Sequence, residues 1–249
     1  MAKLNGILKI EGTLQDMTFY KSQDGHLVRT KGGVSGDRIA NDPAFVRTKE
    51  NGAEIGASAS AGKFLRDAFR NMVETSADNR VTSRLTQVMT QLKNLDTISV
   101  RGERSVDKGI ATSEGKALLK DFNFNINAIL RSILYKPYSV ITATGVTTNT
   151  NLIPATDISE PSGATHVRIK GAFGVVDFDL GTSEVFYTNV VTLPVNNTST
   201  TISLTPTAVP TAAGTKIYLL QIEFFQQVNG TLYSLNNGAY NALAIIDVV

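Results

Sequence analysis

Lys216-Ile217-Tyr218-Leu219-Leu220-Gln221-Ile222-Glu223-Phe224-Phe225-Gln226-Gln227-Val228 is the stretch that decides the fold. Read with a period of two, it sets Ile217, Leu219 and Gln221 on one face and Tyr218, Leu220 and Ile222 on the other. The run through Phe224 and Phe225 keeps both faces apolar. A strand apolar on both faces belongs in the middle of a sheet, covered above and below. It ends at Asn229-Gly230, whose tolerance of positive φ suits a tight hairpin onto a further strand at 231–235.

Similar runs surround it at 138–143, 146–153, 165–173, 175–180, 185–193, 200–204 and 242–248. Turn signals separate them, among them Thr144-Gly145, Pro161-Ser162-Gly163, Gly181-Thr182-Ser183, Asn196-Asn197 and Asn237-Gly238. Many short strands closed by such turns predict an antiparallel β-sandwich or jelly-roll-like domain over 137–249. Its start is set at Lys136-Pro137, where the composition shifts to Thr, Val, Ser, Asn and Gly.

Upstream the pattern differs. Short β-forming runs at 7–11, 17–22 and 26–31 read as a β meander, with Asp24-Gly25 as a hairpin signal. Gly32-Gly33-Val34-Ser35-Gly36 interrupts it, and 37–41 reads as an extended lead into Asp42-Pro43, an N-cap followed by proline at the first helical position. The helix predicted from there to about Val73 offers Phe45, Ala53, Phe64, Ala68, Phe69 and Met72 as apolar contacts. Its middle carries Gly52, Gly56 and Ser60 at four-residue spacing, each glycine costing about 1 kcal/mol relative to alanine. Either these residues form a helix-packing groove against which another backbone lies closely, which is the preferred reading, or the helix breaks near Asn51-Gly52.

A second helix is expected over 78–94, capped by Ser76 or Asp78, with Val81, Leu85, Val88 and Leu92 on one face. A third is expected from Thr112 or Ser113 through Leu119, Phe122, Ile126, Ile129 and Ile133. Phe122-Asn123-Phe124-Asn125-Ile126 also alternates as a strand would. The fold class is therefore α+β, with a β meander and helical region at 1–136 followed by the β domain at 137–249.

The chain of 249 residues is long enough to bury a core without staples, and it contains no cysteine. Disulfides, thiolate metal sites and cysteine nucleophiles are thereby excluded. Residues 1–136 hold 21 of the 24 Lys and Arg and 15 of the 22 Asp and Glu, a net +6; residues 137–249 carry a net −4. Opposite signs of this size read first as two differently composed regions of one monomer; the alternatives are head-to-tail association of copies and an acidic partner for the basic part. The start lacks an apolar segment of signal-peptide length, and no run approaches the roughly 18 apolar residues of a membrane span. Cytoplasmic synthesis without a membrane span is expected, with release as part of a particle left open.

Motifs of catalysis fall short in each case. Residues 56–63, Gly-Ala-Ser-Ala-Ser-Ala-Gly-Lys, have one residue too many between the glycines for a phosphate-binding loop, and Phe64 stands where Ser or Thr is needed. Ser60-Ala61-Gly62-Lys63 and Ser113-Glu114-Gly115-Lys116 match Ser-x-x-Lys without partner motifs. His26 and His166 are the only histidines, which excludes a multi-histidine metal site. Asp177 and Asp179 would share one face of a strand, where solvent exposure is a better account than calcium binding. Arg80, Arg84, Arg101 and Arg104 form the best basic cluster, but no aromatic is interleaved for stacking on bases. Asn196-Asn197-Thr198 and Asn229-Gly230-Thr231 match glycosylation sequons.

Several segments carry a resemblance. They are Leu4-Asn5-Gly6-Ile7-Leu8-Lys9-Ile10-Glu11-Gly12, Phe19-Tyr20-Lys21, Arg29-Thr30-Lys31-Gly32-Gly33, Arg38-Ile39 and Arg47-Thr48-Lys49-Glu50-Asn51. Gly163-Ala164-Thr165-His166 and Asn237-Gly238-Ala239-Tyr240 belong with them. Together they resemble an uncharacterised protein family of Bacteroidota, over most of the chain, and the resemblance implies no activity.

The expectation that follows is a structural protein without enzymatic activity or cofactor. It would self-assemble into a homo-oligomeric particle, tube or fibre of phage-like or extracellular type, its N-terminal meander adding to a neighbour's sheet edge. The alternatives are a glycan- or protein-binding module using the β-domain loops, with Tyr187, Tyr218, Tyr233 and Tyr240 as contacts, and a hydrolase of unfamiliar type built on His166. A nucleic-acid partner is not expected.

Overall fold

The computed structural model of the chain describes residues 2–3, 10–30 and 33–249. They form two compact units, 1–49 and 50–249.

In the first unit, β1 (Ala2–Lys3), β2 (Gly12–Leu14), β3 (Met17–Ser22) and β4 (Gly25–Thr30) make a four-stranded antiparallel sheet in the order β1-β4-β3-β2. The strand expected at 7–11 lies largely outside the described residues. The β3–β4 hairpin closes through Gln23 and Asp24, with Ser22 opposite Gly25 and Gly25 at φ +106°. Residues 37–41 are not extended but form α1 (Gly36–Asn41), nucleated because Ser35 Oγ accepts from the Arg38 N–H at 3.3 Å. Asp42 accepts from the Ala44 N–H at 2.9 Å and caps a 3₁₀ turn at Pro43–Phe45 that leads into α2 (Val46–Ala68). The capping role read from Asp42-Pro43 is thus the one observed.

The second unit places α2, α3 (Arg70–Ser76), α4 (Val81–Asn94), α5 (Val106–Ile110) and α6 (Ser113–Leu119) ahead of the sheets. The long helix is continuous through Gly52 and ends at Phe69, whose backbone at φ −106° and ψ 28° leaves the helical region before α3. Helix α4 starts at Val81, with neither Ser76 nor Asp78 as its N-cap; Arg80 takes that position and Asp78 accepts from its N–H at 2.7 Å. The helix expected to run from Thr112 through Ile133 is broken. Thr112 caps α6 as read, but α6 stops at Leu119, Asp121 turns left-handed at φ +66°, and Asn123 bridges Ala244. Neither reading holds in full there: the chain is extended only around the Asn123 bridge, with Phe122 and Phe124 buried and packed edge to face at 5.2 Å, and Ile126 is exposed. Only a short α7 (Leu130–Ile133) follows.

Beyond it come β5 (Ser139–Ile141), β6 (Val146–Leu152), α8 (Pro154–Asp157), β7 (His166–Asp177), β8 (Thr182–Tyr187), β9 (Val191–Pro194), β10 (Thr200–Leu204), β11 (Thr215–Val228), β12 (Thr231–Ser234) and β13 (Ala242–Val248). All pairings are antiparallel. Strand β11 is central: it pairs with β7 along one edge and with β13 and then β12 along the other, and β8 and β9 complete a six-stranded sheet on the far side of β7. A smaller sheet has the order β10-β6-β5.

Both faces of the large sheet are covered. Ile217, Leu219, Leu243 and Ile245 join Leu65, Phe69, Met72 and Leu85 of the helices in one core. Tyr218, Leu220, Ile222 and Phe173 join Leu152, Ile202 and Leu204 of the small sheet in another. The α+β class holds, and the two packed sheets agree with a sandwich that carries a helical layer on its outer side. The compositional change at 136/137 falls inside this second unit, because 50–136 supplies the helices that cover the sheet.

Two strands read as separate are one. Gly174 sits inside β7 because a Cβ there would lie 2.7 Å from the Phe69 ring and 2.8 Å from Val185, so the glycine is a packing site and not a break. The run 185–193 is conversely split between β8 and β9. At the split, Thr188 Oγ1 accepts from the Gly171 N–H at 2.8 Å and the Thr188 N–H reaches the Gly171 carbonyl.

Candidate interaction surfaces

The N-terminal sheet carries apolar and polar side chains on both faces. Directly opposed residues share a face, so Leu14, Met17 and Thr30 align, Phe19 aligns with Val28, and Lys21 with His26. The other face carries Thr13, Thr18 and Arg29, then Tyr20 and Leu27. None of the described residues in 10–49 is buried. Leu14 is 60% exposed and Met17 45% at the tip of the β2–β3 hairpin, with Gln15 at φ +51° in its two-residue turn.

A cleft opens on the second unit between the α3–α4 connection, the 122–130 loop and the 235–241 turn. One compartment of about 300 Å³ is lined by polar groups from Glu74–Asn79, Asn125, Asn127 and Asn237–Ala239. Asn127 also borders a second, more apolar compartment of about 250 Å³ with Ile129, Ile133, Pro161, Phe224 and Tyr240. Asparagines build this region. Asn125 Nδ2 donates to the Ala239 and Asn241 carbonyls at 3.0 Å each, and Asn241 Nδ2 donates to the Thr75 carbonyl at 2.9 Å. Arg84 holds the opposite wall, donating to the Asn123 and Phe124 carbonyls at 2.8 and 3.0 Å and pairing with Asp78, which also accepts from the Ile126 N–H. Burial opposes ionisation of Asp78, but the Ile126 and Arg80 N–H groups and Arg84 outweigh it and hold its pKa below the usual value.

A buried ionic clasp ties α2 to α4 and the following loop. Glu54 is 1% exposed; Arg104 grips both its oxygens, the Gly102 N–H donates at 2.8 Å, and Lys93 completes the set. The Arg104 hydrogen bonds hold the Glu54 carboxyl well below the usual carboxylate range, with Lys93 and Gly102 assisting against burial. Nearby Asp96 is buried too. Burial would raise its pKa, yet the Ser99, Ser105 and Ile98 N–H groups lower it to about 2. With every oxygen engaged, this cluster joins elements and has no free group for chemistry.

The residues singled out in the sequence scatter. Gly52, Gly56 and Ser60 face solvent, and a Cβ on either glycine would meet nothing within 4 Å; the buried stripe of α2 is instead Glu54, Ser58, Ala61, Gly62 and Leu65. His166 Nδ1 lies 3.0 Å from Thr165 Oγ1, and among the described residues it has no ion pair with a carboxylate. His26 stands 4.0 Å from Glu11. Asp177 ends β7 and accepts from the Asp179 and Leu180 N–H groups at 2.9 and 2.8 Å, so the two aspartates form a turn and not one strand face. Among the described residues no cluster of three or more His, Asp or Glu could hold a metal ion.

Arg84 and Arg104 of the basic cluster are consumed by internal pairs, and Arg101 meets Glu50 at 3.3 Å. Tyr218 is buried, stacked 4.5 Å from Phe173, and donates to the Thr142 carbonyl; burial pushes its hydroxyl up to about 12. Tyr233 and Tyr240 remain open, at 57% and 43% exposure. Among the described residues no helix is long and apolar enough to cross a membrane.

No protein-family model, curated protein or solved structure matches the chain. Function has to be read from its own surfaces. The features that sequence reasoning passed over are the hairpin tip at Leu14 and Met17, whose alternation was visible, and the Glu54 clasp, whose partners lie 39 and 50 residues away in sequence.

Proposed function

We propose that this chain is a structural, self-associating protein that builds a homo-oligomeric particle, tube or fibre. One observation carries the reading: a four-stranded sheet that leaves Leu14 and Met17 largely exposed and none of whose residues in 12–30 is buried. Ordering each residue of such a sheet costs about 1–2 kcal/mol of backbone entropy, and uncovered strands recover little of it. A covering surface is therefore the natural complement of this unit, and every copy of the chain brings another such surface into reach. Residues 1–49 carry a net +3 (8 − 5) and residues 50–249 a net −1 (16 − 17), a small difference that favours contact between unlike units of two copies.

Size-exclusion chromatography with light scattering, followed by negative-stain microscopy of the purified chain, tests this directly. Discrete particles or polymers above the monomer mass support it. A strict monomer at tens of micromolar contradicts it.

A further inference from the structure

We propose that the cleft of the second unit receives the β2–β3 hairpin of another copy, with Leu14 and Met17 as anchors, so that copies join head to tail. This rests on the self-association reading and specifies its two surfaces.

The match is chemical on three counts. First, the hairpin tip presents two large apolar side chains, 60% and 45% exposed, and the apolar compartment of about 250 Å³ has room for side chains of that size between Ile129, Phe224 and Tyr240. Its rim is itself unfinished: Ile129 is 41%, Tyr240 43% and the neighbouring Ile126 58% exposed. Contiguous exposed apolar surface rimmed by polar groups marks a protein contact.

Second, the charges complement one another. Glu74, Asp78 and Glu160 are the carboxylates lining the two compartments, with no Lys or Arg among the lining residues. The sheet face that carries Leu14 and Met17 also carries Lys21 and His26, and residues 1–49 hold eight Lys and Arg against five Asp and Glu. Asp78 is occupied by Arg84 and Glu74 by Arg70 at 2.7 Å, which leaves Glu160 as the carboxylate without an ion pair among the described residues. Lys21 likewise has none, so Lys21 and Glu160 are the cation and anion this seat brings together.

Third, Asn127 and Asn237 line the polar compartment beside the apolar one, and their amides suit the N–H and C=O groups of the edge strand β2. A hairpin in a cleft is a heterologous contact. It therefore generates a ring where the rotation closes and a filament where it does not.

The test uses two variants of the full chain. Leu14→Asp with Met17→Asp removes the anchors; Ile129→Asp spoils the seat at the N-cap of α7, where aspartate is favoured and folding is preserved. Each alone should reduce association at least tenfold, and an equimolar mixture should recover a species of two chains, because one variant keeps its cleft and the other its hairpin. As a second probe, Glu160→Lys should weaken association at low salt and Lys21→Glu in the same chain should restore it. A mixture that stays monomeric, or an Ile129→Asp chain that assembles as the wild type does, overturns the hairpin-in-cleft contact while leaving self-association standing. A wild-type monomer at tens of micromolar overturns both.

Discussion

Leu14 and Met17 stand directly opposite each other across a two-residue turn, 60% and 45% exposed. Their exposure sets them apart from the second unit, where the large sheet is packed on both faces. If this hairpin serves contact between molecules, replacing both residues with aspartate should lower the assembled mass yet leave folding of the rest intact. Thermal unfolding of the 50–249 core should change by no more than about 0.5 kcal/mol, as for ordinary surface substitutions. Differential scanning calorimetry beside light scattering measures the two effects separately.

Glu54 is the opposite case, a buried carboxylate with every oxygen engaged. Replacing it by glutamine leaves Lys93 and Arg104 without their counter-charge, and breaking such a pair costs about 3–5 kcal/mol. Urea unfolding of Glu54→Gln should show a midpoint lowered by that amount at unchanged slope. A loss under about 1 kcal/mol would mean that water reaches the site.

Acid should unfold the protein through the same region. Asp96 has a folded pKa depressed from 3.8 to about 2, so its contribution is complete above the unfolded value and disappears as pH falls toward the folded one. That contribution is about 2 kcal/mol, lost between about pH 4 and pH 2. Glu54, also held low, adds to the loss in the same direction. Stability followed by denaturant titration should be flat near neutrality and fall below about pH 4, with a shallower fall in Asp96→Asn.

Glycine substitutions should separate packed from open positions. A Cβ at Gly109 would lie 1.9 Å from the Leu92 carbonyl oxygen, so Gly109→Ala forces α5 away from α4 and should destabilise by several kcal/mol. Gly56→Ala meets nothing and should stabilise by up to about 1 kcal/mol through helix propensity. If Gly56→Ala instead impairs assembly without loss of folding, the stripe with Gly52 and Ser60 is a groove used by another copy.

Local chemistry made much of this fold legible. The two-sided run at 216–228 located the central strand, Asn229-Gly230 closed its hairpin with both residues at positive φ, and the strand read at 242–248 is the one observed. What escaped was settled at a distance. The rhythm of Leu119, Phe122, Ile126 and Ile129 fits a helix, but Asn123 finds Ala244 more than a hundred residues on, and that bridge converts the stretch to an extended loop. Gly174 looked like a break because nothing local reveals the Phe69 ring above it. Of the candidate surfaces, the alternation in 12–30 could be read, whereas the cleft is assembled from five separate segments and had no sequence signal beyond its asparagines.

Sedimentation equilibrium of the full chain over a concentration series is the most direct measure of whether copies associate. A weight-average mass that climbs above the monomer value and drops back in the Leu14→Asp, Met17→Asp chain is the predicted result. A mass fixed at one chain throughout, for wild type and variant alike, would contradict it.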